Sequence, residues 1–130
     1  MYSGPSFVKS YEVSLFIGSF NNETHENFTK DDLIERIAEF QNDPRIALCE
    51  EDDDLTSVKH PVRVTDTEFV SGHDYRELGW QVTAIQYPRL TSDESEIWRW
   101  MCCLAYYLKE EFKQHRICVQ DASKVVMYGE

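Results

Sequence analysis

From Tyr11 to Ser19 the chain alternates cleanly, with Tyr11, Val13, Leu15 and Ile17 on one side and Glu12, Ser14, Phe16 and Gly18 on the other. That period of two is the mark of a half-buried strand. Asn21 to Asn27 is polar and reads as a loop. Thr29 then stands three residues before Asp32, an N-cap arrangement, ahead of Leu33, Ile34, Ile37, Ala38 and Phe40. This predicts a helix that runs to Gln41 and is stopped by Asp43-Pro44. Val62 to Val70 reads as a second strand, with Val62 and Val64 opposed to Arg63 and Thr65. Ser71-Gly72-His73-Asp74 carries turn residues, and Trp80 to Tyr87 is a third strand closed by Pro88, so the two are expected to form an antiparallel hairpin with a long tip. Thr91 and Glu94 have capping-box spacing, and Ile97, Met101, Leu104, Ala105, Leu108 and Phe112 follow at helical intervals. Arg116 to Gln120 and Lys124 to Tyr128 are two short strands around Asp121-Ala122-Ser123.

The predicted order is β-α-β-β-α-β with a terminal hairpin. This is an α+β, ferredoxin-like arrangement in which an antiparallel sheet of four or five strands carries both helices on one face. With 130 residues, 42% of them hydrophobic, the chain has material for one core, so a single domain over 1–130 is expected, with 1–10 as a tail. The formal charge of −11 gives a field that repels a phosphate backbone, so no nucleic-acid partner is expected. Cys49, Cys102, Cys103 and Cys118 match neither a disulfide framework nor a metal knuckle, and suit buried thiols in a reducing compartment. No signal-peptide pattern or membrane-length apolar run is present, so a cytoplasmic protein with no membrane partner is expected. The acidic run Glu50 to Asp54 lacks the ligand spacing of a calcium loop and reads as solvated surface, so no metal is expected.

No GxSxG, HExxH, P-loop or post-strand GxGxxG motif is present, and His25, His60, His73 and His115 are scattered through predicted loops as surface residues. The expectation is therefore no catalytic residue, no cofactor and no enzyme. Strand alternation is more informative. If Val13, Leu15, Ile17, Val62, Val64, Val82, Ala84, Ile117 and Val119 face the helices, then Phe16, Arg63, Ile85, Tyr87 and Arg116 share the helix-free face. Arginine forks grip phosphate and aromatic rings stack on bases, so this face suits a phosphorylated nucleotide. The alternative is that Arg63 and Arg116 pair with Asp66, Glu68 or Asp121.

The segments Phe16-Ile17-Gly18-Ser19, Phe28-Thr29-Lys30-Asp31-Asp32-Leu33, Val62-Arg63-Val64-Thr65, Gly79-Trp80-Gln81-Val82, Tyr87-Pro88-Arg89 and Gln114-His115-Arg116-Ile117-Cys118-Val119, in this order, resemble the small phage anti-Thoeris sponge proteins. The resemblance spans Tyr11 to Met127 and departs from the family pattern in Glu50 to Asp54 and in Gln86. It implies a viral protein in the host cytoplasm that sequesters a cyclic ADP-ribose isomer, or a cyclic oligonucleotide, without cleaving it. It further implies phosphate contacts at Arg63 and Arg116, with Arg89 joining the candidates from its own segment, and a homo-oligomer, dimer or hexamer, with pockets completed across an interface. The competing expectation is an acidic protein–protein inhibitor or nucleic-acid mimic, resting on the net charge and Glu50 to Asp54. Third comes a nucleotide-cleaving enzyme with His115 or His73 as base.

Overall fold

A computed structural model describes residues 5, 10–44, 59–87 and 93–129. Their elements run β1 (Glu12–Gly18), α1 (Lys30–Asn42), β2 (Val62–Ser71), β3 (Tyr75–Ile85), α2 (Glu94–Glu111), β4 (Arg116–Gln120) and β5 (Val125–Gly129). The strands form one five-stranded antiparallel sheet in the order β2-β3-β1-β4-β5. The first four strands keep the ferredoxin-like order, and β5 folds back on β4 as the terminal hairpin. The α+β class expected from the pattern is the one found.

Period-two burial is what fixes the register. Val13, Leu15 and Ile17 of β1, Val82 and Ala84 of β3, and Ile117 and Val119 of β4 are buried on one face. Leu33, Ile37 and Phe40 of α1 and Ile97, Trp100, Met101, Leu104 and Leu108 of α2 cover them in a single cluster. Each large side chain so buried contributes roughly 1.5–3 kcal/mol, which is why a one-residue slip is prohibitive. Of the apolar positions read on α1, Ile34 and Ala38 are exposed, because both, one turn apart, point off the stripe formed by Leu33, Ile37 and Phe40. The aromatic cluster on α2 is structural: Trp100 is edge-on to Phe40, and Tyr107 donates to Glu39 and Glu111. Among the described residues no helix is long and apolar enough to cross a membrane.

Both helix starts follow capping chemistry. Thr29 Oγ1 accepts from the Asp32 N–H at 3.1 Å and Asp32 accepts from the Thr29 N–H at 3.0 Å, a complete capping box. At α2 the cap is Asp93, whose carboxylate accepts from the Glu96 N–H. Thr91, to which the sequence assigned this role, lies outside the described residues, as do Cys49, Glu50 to Asp54 and Arg89.

The β2–β3 hairpin differs from expectation. Its tip is tight, with Ser71 paired to Tyr75 and Gly72 at φ +70, and β3 begins at Tyr75, five residues before Trp80. Three residues close the turn because glycine takes the left-handed conformation without a side-chain clash. His60, read as a surface residue, is fully buried against the Trp100 ring, 5.0 Å between centroids. Neighbours from α2 enclose it, which its flanking sequence does not reveal.

Candidate functional site

On the helix-free face the side chains form rungs across the strands. One rung is Arg63, Thr83, Ser14, Gln120 and Val125, and the next is Thr65, Gln81, Phe16, Cys118 and Met127. Its centre is polar yet covered: Ser14 and Thr83 share a hydrogen bond of 2.8 Å, and the Gln81 amide donates to Ser14 Oγ at 3.0 Å. These groups satisfy one another, as buried polar groups must.

Beyond Phe16 the sheet end opens into a cleft of about 900 Å3. Gly18 lines this cleft and pairs in register with Gly79, against which the Phe69 ring lies. The room above Gly18 is taken by Glu77: a Cβ on Gly18 would collide with that carboxylate. Glu77 Oε2 accepts from the Phe20 N–H at 3.1 Å and Oε1 accepts from the Tyr75 hydroxyl at 2.5 Å. The bond to Glu77, then burial and the carboxylate's charge, push the Tyr75 phenol above its ordinary pKa, against the pull of nearby Arg116. Tyr75 therefore stays a donor at neutral pH. Each carboxylate oxygen keeps acceptor capacity beyond these bonds.

Two loops wall the cleft and are tied together. Gln114 Nε2 donates to the Phe20 carbonyl at 2.7 Å, and Asn22 Nδ2 donates to the Lys113 carbonyl at 2.8 Å. Lys113 and His25 adopt positive φ, 51 and 61. Such conformations cost about 1 kcal/mol or more each and persist where surrounding contacts hold them. Phe20, Phe28 and Phe69 line it as half-buried rings, with Phe28 stacked on Phe112 and Trp80 buried beside Phe28, so a planar ligand finds ring surface to stack on. A second cavity of about 310 Å3 adjoins the first at Phe16 and is lined by Ser10, Tyr11, Glu12, Ser14, Gln120 and Ala122.

The expected site residues are divided by this geometry. Phe16, Arg116 and His115 line the cleft, whereas Arg63, Ile85 and Tyr87 line neither cavity. Arg63 sits three strands and two rungs from Arg116. At about 4.8 Å per strand and 3.3 Å per residue their backbones are roughly 20 Å apart, so within one chain they do not meet in one cleft. Of the carboxylates considered as their partners, Asp66 pairs with Lys30 at 3.2 Å, Glu68 with Arg76, and Asp121 with Lys124 at 2.8 Å. Glu77 and Tyr75 were missed, because the strand was read from Trp80 onward. The signal was the pairing that follows once the turn is placed at Gly72, which sets Phe69 opposite Glu77 on this face.

No protein-family model matches the chain and no curated protein matches its sequence. Two solved structures share its fold. One is a phage SAM lyase in complex with S-methyl-5'-thioadenosine, 10% identical, superposing with a TM-score of 0.61 over 100% of this chain and 97% of that one. The other is a phage SAM lyase in the apo state, 15% identical, with a TM-score of 0.59 over 92% of this chain and 89% of that one. The likeness is thus to a phage protein, as the sequence resemblance implied, but to a lyase and not to a sponge. It also corrects the expectation of no enzyme. Both of these structures of the same fold are of lyases, and a lyase need not display a hydrolase or nucleotide-binding motif.

Proposed function

We propose that the chain binds S-adenosylmethionine, or a close adenosine sulfonium, in the cleft and cleaves it as a lyase, leaving S-methyl-5'-thioadenosine. The observation that carries this reading is the Glu77 carboxylate, held over Gly18 by Tyr75 and the Phe20 amide among the rings of one cleft. The spare acceptor capacity of Glu77 suits the two ribose hydroxyls, and the rings suit adenine. In the reaction the γ-carbon–sulfur bond of the amino-acid arm breaks and its electron pair stays on sulfur, which becomes a neutral thioether, while an oxygen of the substrate's own α-carboxylate bonds to the γ-carbon and closes a lactone, so no external nucleophile is required. A carboxylate placed against the sulfur would stabilise the charged substrate more than the transition state, so the ribose is the better place for Glu77. Phe16, Cys118 and Met127 offer the sulfur an apolar setting, which disfavours the full positive charge and favours its loss. The net charge of −11 draws a cation from solution.

A second ligand reading is favoured by one residue. Arg116 lines the cleft, and a guanidinium is the side-chain group best matched to phosphate, which S-adenosylmethionine lacks and a cyclic ADP-ribose isomer carries. Both ligands share adenosine, so they would compete. Incubating the chain with S-adenosylmethionine and separating the products tests the proposal. Accumulation of S-methyl-5'-thioadenosine beyond one equivalent is expected, and full recovery of the sulfonium would overturn it. Competition by cyclic ADP-ribose isomers in the same assay reads the second ligand.

A further inference from the structure

The second cavity has a chemistry of its own. Phe16 belongs to both cavities, so a ligand that fills the cleft and continues past this ring enters the smaller space. The polar side chains there are the Ser10, Tyr11 and Ser14 hydroxyls, the Glu12 carboxylate and the Gln120 amide, of which Glu12 alone is charged at neutral pH, and neither lysine nor arginine is among the lining residues. That composition disfavours phosphate and favours a cation-bearing end. Ser14 is committed to Thr83 and Gln81, and the Tyr11 hydroxyl to Asp121 at 3.0 Å, so neither is the principal ligand group. The Glu12 carboxylate is exposed and has no hydrogen bond or ion pair with any described residue, the backbone of Glu12 alone being held in the sheet. Gln120 sits one rung across from it, opposite Ser14, with an amide able to donate to a carboxylate.

We propose that this cavity is the subsite for the amino-acid arm of the ligand, with Glu12 receiving the α-ammonium group and Gln120 the carboxylate; this rests on the reading of the cleft as a nucleoside site. Arm and nucleoside then lie on opposite sides of Phe16, with the sulfur beside its ring. Arg116, on the cleft side, is kept away from the ammonium, and Glu12 is kept away from the sulfur whose charge must vanish. The subsite thereby selects adenosine compounds that carry an amino acid over those that do not, a selection the cleft alone cannot make.

Two probes differ by the arm alone and are not sulfonium substrates: S-adenosylhomocysteine carries it and S-methyl-5'-thioadenosine lacks it. Calorimetric titration of the wild type with both, and of Glu12→Gln and Gln120→Ala, reads the subsite. Glu12→Gln is expected to weaken S-adenosylhomocysteine about tenfold or more and to leave S-methyl-5'-thioadenosine within about twofold, with Gln120→Ala showing the same preference at smaller size. Both residues are exposed, so both variants fold. Equal weakening of the two probes, or of neither, overturns the subsite while the nucleoside reading stands. A wild type that binds neither probe overturns the nucleoside reading itself.

Discussion

Burial lowers the pKa of His60, with the Glu96 charge pulling the other way, so the folded chain takes up this proton at a lower pH than the unfolded chain does. In the unfolded chain the imidazole titrates near about 6.5, and between that pH and the folded value the unfolded state binds more protons. Stability is therefore complete above about pH 7 and falls as the pH drops through 6.5. Urea midpoints at about pH 7.5 and 5.5 should differ in the wild type and draw together in His60→Gln; an equal pH dependence in both would contradict the assignment. Gly18 offers a second residue-level check. Gly18→Ala should displace the Glu77 carboxylate from Tyr75 and Phe20 and cost about 1 kcal/mol in a thermal melt, with adenosine-ligand affinity falling at least tenfold. Unchanged affinity would detach Glu77 from the site. Residue facing was legible wherever alternation was clean: Phe16, Arg63, Ile85 and Arg116 fall on the helix-free face as read. Burial supplied by a distant helix, as at His60, leaves no local trace.

Among the elements, α1 was the most legible, because Thr29 and Asp32 signal its start by local chemistry and Asp43-Pro44 its end. Loss of the Thr29 hydroxyl in Thr29→Ala should lower stability by about 1 kcal/mol, measured as a urea midpoint shift at constant slope. No shift would mean that Asp32 or solvent replaces the cap. The start of β3 was not legible. Tyr75-Arg76-Glu77 puts two charges where strands favour apolar residues, and Gly79 interrupts the run, so propensity argues for a loop. Pairing overrides propensity here: ten consecutive residue pairs join β2 to β3, with Arg76 bridged to Glu68 across the hairpin. The part of the site that the sequence hid, Tyr75 and Glu77, is the part that this override creates.

At the scale of the molecule, the outer part of the β2–β3 hairpin leaves Val70 and Leu78 about two-thirds exposed, 66% and 64%, and Tyr75 at 49%. Val70 and Leu78, diagonal neighbours on one face of this arm, favour contact with another chain, and we propose self-association through them. Light scattering at micromolar concentration is expected to report a mass above the 15.3 kDa of one chain, reduced by Val70→Lys with Leu78→Glu; a single-chain mass in the wild type would contradict this. The acidic field, the rings of the cleft and the carboxylate at Glu77 are what support the proposal that this chain holds and cleaves an adenosine sulfonium. The rate of S-methyl-5'-thioadenosine formation from S-adenosylmethionine, followed in parallel for the wild type and Glu77→Gln, tests it most directly. Many turnovers per chain are expected in the wild type and a rate at least about tenfold lower in the variant, since one charge-assisted contact of about 1.5–3 kcal/mol is lost. No product from the wild type, or equal rates from the two chains, would contradict it.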